Sequence, residues 1–472
     1  MRRILVYSML FFRAGLLSAQ SPAVVKLNVV ATDAKGAPVT DLTAKDIVVR
    51  QNGTPCPLVF FRFAGGKREL AQLAPGEFVN RPGPPVTLVL LDRWNEEEMT
   101  LAGAWQDVNA AVGRMENVDR VYIYFLGNRA NLVPVRALPG GEADLRVPEA
   151  PPAAALVSKL SDTVRALTGL RDKNNIDPVE RADKTLQALH IVSAMAAIAG
   201  PKNLVWITHG FPIQVLSMSQ QWIDYSGPLL GLAQLAVQSQ VAIYTVDQSA
   251  AGAGADPAGM SRQTLELLSS QTGGRWFASG RTSDALSAVA NDAHGAYQVA
   301  YFLPSETRKS KDHKLRIDSA RKGVRLLTRA GFTGDEASPD PDEIVSDVFT
   351  RQSHSPFEAT EIGLRVVRTE RPSGVHLEVH IDPGDVFLEH DGDRIRGSLA
   401  CQFAVYRHGS FEGSQPAFRE DLNFTQAEYQ SAVKNGIVIS RDVAIQDQIE
   451  QIRVMVFDRT IHGLGSVTLP VK

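Results

Sequence analysis

Cysteine is almost missing from this chain: 472 residues contain only Cys56 and Cys401. That excludes a disulfide-rich scaffold and any zinc site built on clustered thiolates. An excess of one charge is missing too. Lys plus Arg number 49 against 52 Asp plus Glu, a formal net charge of -3, so the basic face that a general nucleic-acid binder needs is not there. No apolar stretch reaches the ~20 residues that span a bilayer. Phosphate-cradling glycine loops of the G-x-x-x-x-G-K-S/T and G-x-G-x-x-G types are absent, and so is the G-x-S-x-G elbow of serine hydrolases. What remains is an ordinary globular composition, 44% hydrophobic and 21% charged, long enough for two to four domains.

The chain begins with Arg2 and Arg3, the nine-residue run Ile4 to Phe12, Arg13, and the small residues Ser18-Ala19-Gln20-Ser21. A basic start, a short apolar core and a small-residue cleavage site make a secretory signal peptide over 1–23. The mature protein is therefore expected to be exported: periplasmic, on the cell surface or secreted, with no transmembrane span. Export would permit a Cys56–Cys401 disulfide, provided that the two Cα atoms come within about 7 Å.

Residues 24–63 read as a small β-rich unit. Val25, Leu27 and Val29 alternate with Lys26 and Asn28, and Asn52-Gly53 marks a hairpin turn. Residues 64–85 are a linker. From Val86 strands alternate with helices, through apolar runs at 86–91, 121–126, 204–207, 241–246 and 298–303, and a Pro-, Gly- and Ala-rich insertion lies at 139–178. Such alternation predicts an α/β, doubly wound sheet with helices on both faces. Beyond a Pro- and Asp-rich link at 334–343, six expected strands over 344–472 predict a C-terminal, Ig-like β-sandwich.

Several segments carry a resemblance. They are "LNVVATDAKGAPVTDLTAKDIVVRQNG" at 27–53, "VTLVLLD" at 86–92, "DRVYIYFLG" at 119–127, "GPKNLVWITHGFP" at 200–212, "VAIYTVD" at 241–247, "TGGRWF" at 272–277 and "VRLLTRAGF" at 324–332. In this order they resemble the von Willebrand factor type A-related exported proteins of acidobacteria, as does the closing "VMVFDRTIHGLGSVTLPV". The resemblance implies a Rossmann-like type A domain over 84–332 between β-domains. It also implies a partner gripped at the C-terminal edge of the sheet, in many members through Mg²⁺ held by an Asp-x-Ser-x-Ser run, a Thr and a second Asp.

The match at those positions is degenerate. Asp92 stands where the first Asp belongs, but the two Ser positions carry Trp94 and Glu96, and His209 replaces the second Asp; Thr185 is the candidate Thr. Trp94 offers no oxygen, so the octahedral oxygen set that Mg²⁺ requires is broken. The expectation is no cofactor, with Asp92, Glu96 and Thr185 as the only candidate Mg²⁺ ligands.

Two further clusters carry less. On a strand, His376, Glu378, His380 and Asp382 share one face, but His376 and His380 stand about 13 Å apart, which reads as a solvated sheet face. Gly252-Ala253-Gly254 lacks a third glycine and reads as a loop. Three functions follow. The first is a non-catalytic adhesion-type module that binds a protein or cell-surface partner, with Asp92, Trp94, Glu96, His209, Phe211 and Trp222 on the surface and the aromatics as anchors. The second is a hydrolase-type enzyme using His209 and Asp92 as acid and base. The third is an envelope scaffold.

Overall fold

The structure is a computed structural model. It describes residues 24–65, 73–80, 85–95, 98–114, 118, 120–139, 151–167, 176–248, 260–278, 282–304, 306–307, 310, 312–333, 341–446 and 448–471. The signal-peptide reading of 1–23, Glu96 and the 252–254 loop fall outside them.

The first strand, Val24–Thr32, has the expected alternation: Val25, Leu27 and Val29 are buried. Its partner comes from far along the chain. It pairs antiparallel with Ala296–Phe302, which pairs on its other side with Leu58–Phe63. A second four-stranded sheet joins Ile47–Gln51 to Asp312–Ser319. The two sheets share a core of Val25, Leu27, Val49, Tyr297, Tyr301 and neighbours. Residues 24–63 thus form half of a β-unit whose other half is 296–333.

Between those halves lies a six-stranded mixed sheet. Its order is Trp276–Phe277, Val241–Asp247, Lys202–Thr208, Val86–Asp92, Val121–Leu126, Leu132–Arg136. The pairings are parallel except the last. Lys202–Thr208 is buried along its whole length, as its apolar run demands. One face packs against helices Pro178–Leu189, Ser226–Gln238 and Met260–Thr272, the other against Ala153–Leu167 and Thr282–His294.

The C-terminal region has two antiparallel sheets around one core that includes Val366, Leu377, Val379, Phe403 and Val454. Glu77–Val79, from the expected linker, adds an edge strand to one of them. The second sheet is covered on its far face by helix Pro341–Ser353, through Val345 and Phe349. Cys56 and Cys401 are unpaired thiols, each buried, in the N-terminal and C-terminal cores respectively.

The expected fold class, a doubly wound type A domain with β-flanks, is corrected by this architecture. Among the described residues strand outweighs helix, the strands are spread over six sheets, and parallel pairing is confined to four pairs in one of them. The alternation after Val86 misled because it does not say which sheet a strand joins. Ala296–Phe302 looks like the next strand of an α/β series, yet it leaves that sheet to lie antiparallel to Val24–Thr32. Among the described residues no helix is long and apolar enough to cross a membrane.

Candidate functional site

Asp92 and Thr208 end adjacent parallel strands, paired Leu91 to Ile207, so their side chains meet at the C-terminal edge of the mixed sheet. Asp92 is completely buried. Thr208 Oγ1 donates to its Oδ2 at 2.6 Å, and Trp206 Nε1 donates to the same oxygen at 3.2 Å. The chain then turns sharply. Asn95 donates its backbone N–H to Asp92 Oδ1 at 2.9 Å and its Nδ2 to Oδ2 at 2.8 Å, an Asx-type turn. Burial drives the Asp92 carboxyl above its ordinary range, and the hydrogen bonds from Asn95, Thr208 and Trp206 hold it back.

Asn95 is the residue that sequence reasoning missed. Its Nδ2 also donates to Thr185 Oγ1 at 3.0 Å, while Thr185 gives its own proton to Arg181 O at 2.8 Å. Both neighbours therefore offer acceptors to Asn95, which fixes the amide with nitrogen inward. Asp92 and Thr185, two of the candidate Mg²⁺ ligands, do come together, but through an N–H donor bonded to both. A divalent cation needs converging oxygens. The described side chains do not fit one: an amide nitrogen holds the central position and Trp94 contributes a ring.

Trp94 lies inside, only 6% exposed, its Nε1 donating to Arg181 O at 3.3 Å. Arg181 returns a bond from Nη1 to Trp94 O at 2.8 Å and sets its guanidinium 5.3 Å from the ring centroid. Phe211 is buried as well, edge-on to Tyr225 with centroids 5.6 Å apart. Neither ring can anchor a partner from where it stands, so both are corrected from surface residues to core. Their identity as aromatics was legible; their side of the sheet was not. His209 is half-buried at the start of the loop that leaves Thr208.

Trp222 is the exception. After Thr208 the chain forms a two-stranded hairpin, Gln214–Leu216 with Trp222–Asp224, before helix Ser226–Gln238. Trp222 is 62% exposed, with Met218 at 50% and Ile223 at 36% on the same hairpin. Of the five tryptophans it is the one left so open: Trp94 and Trp206 are buried, Trp105 and Trp276 half-buried. The hairpin is tied to helix Pro178–Leu189 and its cap by Met218 N–H donating to Asp177 Oδ2 at 3.2 Å and by Tyr225 O–H, just past the hairpin, donating to Asp183 Oδ1 at 2.7 Å.

A second buried carboxylate, also missed, lies at the opposite end of the mixed sheet. Glu361 Oε1 is 2.6 Å from Lys26 Nζ and accepts from Gln298 Nε2 at 2.9 Å and Gln240 Nε2 at 3.4 Å; its Oε2 accepts Leu464 N–H at 3.3 Å. One side chain of the C-terminal region thus reaches the N-terminal β-unit and the mixed sheet. Burial would raise its carboxyl, but Lys26, with help from Arg62 and Gln298, holds it at about 2. Nearby Lys202 donates to Ile198 O and Gly200 O, and burial lowers it to about 7 against the pull of Glu361. These groups line a cleft of about 890 Å³ between the three regions.

The outward strand face at His376 is as expected: His376 Nδ1 lies 2.8 Å from Asp442 Oδ1, and His380 Nδ1 3.1 Å from Asn435 O. Among the described residues no three His, Cys, Asp or Glu side chains gather as metal ligands.

No protein-family model matches the chain, and no curated protein matches its sequence. Among solved structures it is similar to the pilus adhesin SpaC of Lactobacillus rhamnosus GG in its open conformation. That likeness has a TM-score of 0.30 and 10% identity, over 92% of this chain and 57% of the adhesin. It is similar also to the human COPII-coat protein Sec24c, with a TM-score of 0.25 and 9% identity, over 86% of this chain and 48% of that one. The chain thus spans little more than half of the adhesin and about half of Sec24c, and likenesses this weak establish neither a shared fold nor a function.

Proposed function

We propose that this chain is an exported, non-catalytic protein-binding module that recognises its partner through the hairpin 214–224, without a metal ion. The exposure of Trp222 carries the proposal. A tryptophan left 62% open to water beside Met218 and Ile223 keeps in solvent a large apolar surface that a partner would bury, and tryptophan is the residue most enriched among interface anchors. The hairpin projects where strand Lys202–Thr208 ends, held by side chains of helix Pro178–Leu189 and its cap, so the anchor is presented on a fixed support. The reading is non-catalytic because Asp92, the carboxylate expected to act as acid or base at this edge, is buried and already accepts four hydrogen bonds. Export rests on the 1–23 signal-peptide reading.

The test is selection of a displayed random peptide library on the full chain. Recovered peptides should bind equally in EDTA and in Mg²⁺, and Trp222→Ala should weaken them about thirtyfold, the loss typical of an interface hot spot. Equal binding by the Trp222→Ala chain would refute the hairpin, and loss in EDTA would refute metal independence.

A further inference from the structure

The register of the hairpin says more about the form of the partner. Tyr225 N–H donates to Ile213 O at 2.8 Å and Ser217 N–H to Gln221 O at 2.9 Å. Hydrogen-bonded pairs alternate along an antiparallel ladder, so Val215–Ile223 is the bonded pair between them. Gln214–Asp224 and Leu216–Trp222 are then the non-bonded pairs. The backbone N–H and C=O of Trp222 and Asp224 therefore point away from the hairpin, along its outer edge.

The two edges are not equivalent. Strand Gln214–Leu216 faces helix Pro178–Leu189, which packs against it. Strand Trp222–Asp224 is exposed at all three residues, and no described strand pairs with its outer side. Natural edges are usually blunted by lysine, proline or a bulge; this one carries Trp-Ile-Asp. Trp222 and Asp224, two residues apart, share one face, so an added strand would meet an apolar ring and a carboxylate in alternation. Asp177 and Asp183 stand close by on the supporting helix and its cap, and Asp183 with Asp177 adds to the burial that pushes the Tyr225 hydroxyl up.

We infer that the partner binds as an extended polypeptide strand added to the outer edge of Trp222–Asp224, with an apolar residue against Trp222 and a basic residue two positions away, beside Asp224. The inference rests on the protein-binding reading above and specifies the partner's form. Backbone hydrogen bonds then supply affinity, and the alternate side chains supply the choice of sequence.

Synthetic copies of a peptide selected on the full chain decide the matter. One series carries N-methyl groups on the even backbone amides, the other on the odd ones. Strand addition predicts that one series loses tenfold or more in affinity while the other binds within about twofold, because only alternate amides face the edge. It also predicts Lys or Arg two residues from an apolar position in the selected sequences. If both series bind alike and Trp222→Ala still weakens binding, strand addition is wrong and the hairpin remains a binding surface. If Trp222→Ala changes nothing, the protein-binding reading itself is wrong. Selection of acidic peptides would overturn the charge assignment.

Discussion

Asp92 and Glu361 are both buried carboxylates at opposite ends of the same parallel strands, and their surroundings shift them in opposite directions. Asp92 meets only neutral donors, from Asn95, Trp206 and Thr208, and its carboxyl is raised. Glu361 meets Lys26 at 2.6 Å and is held at about 2. At Asp92 the neutral hydrogen bonds offset the desolvation only in part, whereas at Glu361 the hydrogen-bonded Lys26 more than offsets it. The first arrangement fastens a turn within one sheet. The second fastens three regions of the chain to one another.

The largest effect should come from cutting the charged joint. Glu361→Ala leaves the half-buried Lys26 without its partner and removes an acceptor of Gln298 and Gln240, so it should destabilise the fold by about 3–5 kcal/mol, read from the urea midpoint. A loss under about 1 kcal/mol would mean that the three regions hold together without it.

Acid should separate the two carboxylates next. Glu361 is depressed in the fold, so its contribution is present above its ordinary value of 4.5 and is lost as pH falls toward about 2; at 1.36 kcal/mol per unit this is about 3 kcal/mol. Asp92 is raised, so its contribution is fully present below its ordinary 3.8 and is lost as pH rises through the folded value. Between pH 5 and 2 the stability gap between the native chain and Glu361→Gln should therefore shrink. The gap between the native chain and Asp92→Asn should widen in favour of the native chain. Parallel curves for both variants would show that the two sites do not differ.

The smallest effect is expected for Asp92→Asn at neutral pH. The new amide keeps the shape but sets one N–H against the donors around it, a mismatch of about 1–3 kcal/mol, checked by thermal unfolding. A cost equal to that of Glu361→Ala would erase the distinction drawn between the two carboxylates.

The neutral site was partly legible in the sequence and the charged one was not. Asp92 at the end of an apolar run, and Thr185 through the family resemblance, could be named beforehand. Asn95 could not, because its importance arises only when the turn after Asp92 folds it back between them. Trp94, Phe211 and Trp222 read alike as aromatics near a strand end, and only packing shows that two face inward. Glu361 left one faint trace, a lone charge in the apolar stretch Ala359 to Leu364. The strands expected over 375–382 and 436–444 stand at Gly374–Ile381 and Ile437–Ala444, both with alternating burial, since a half-buried strand writes its period into local sequence. Strand partners hundreds of residues apart leave no such period, and there the reading of the fold failed.

That distance has a consequence for the order in which the molecule is made. Val24–Thr32 and Leu58–Phe63 flank Ala296–Phe302, so the strand that joins them is synthesised last of the three. At about 5–20 residues per second, roughly 260 residues of intervening chain take about 13–50 s. For all that time Val25, Leu27 and Val29 have no sheet to enter, while the mixed sheet between them can already assemble. A holding chaperone or an export channel that accepts the unfolded chain has its natural window in that delay.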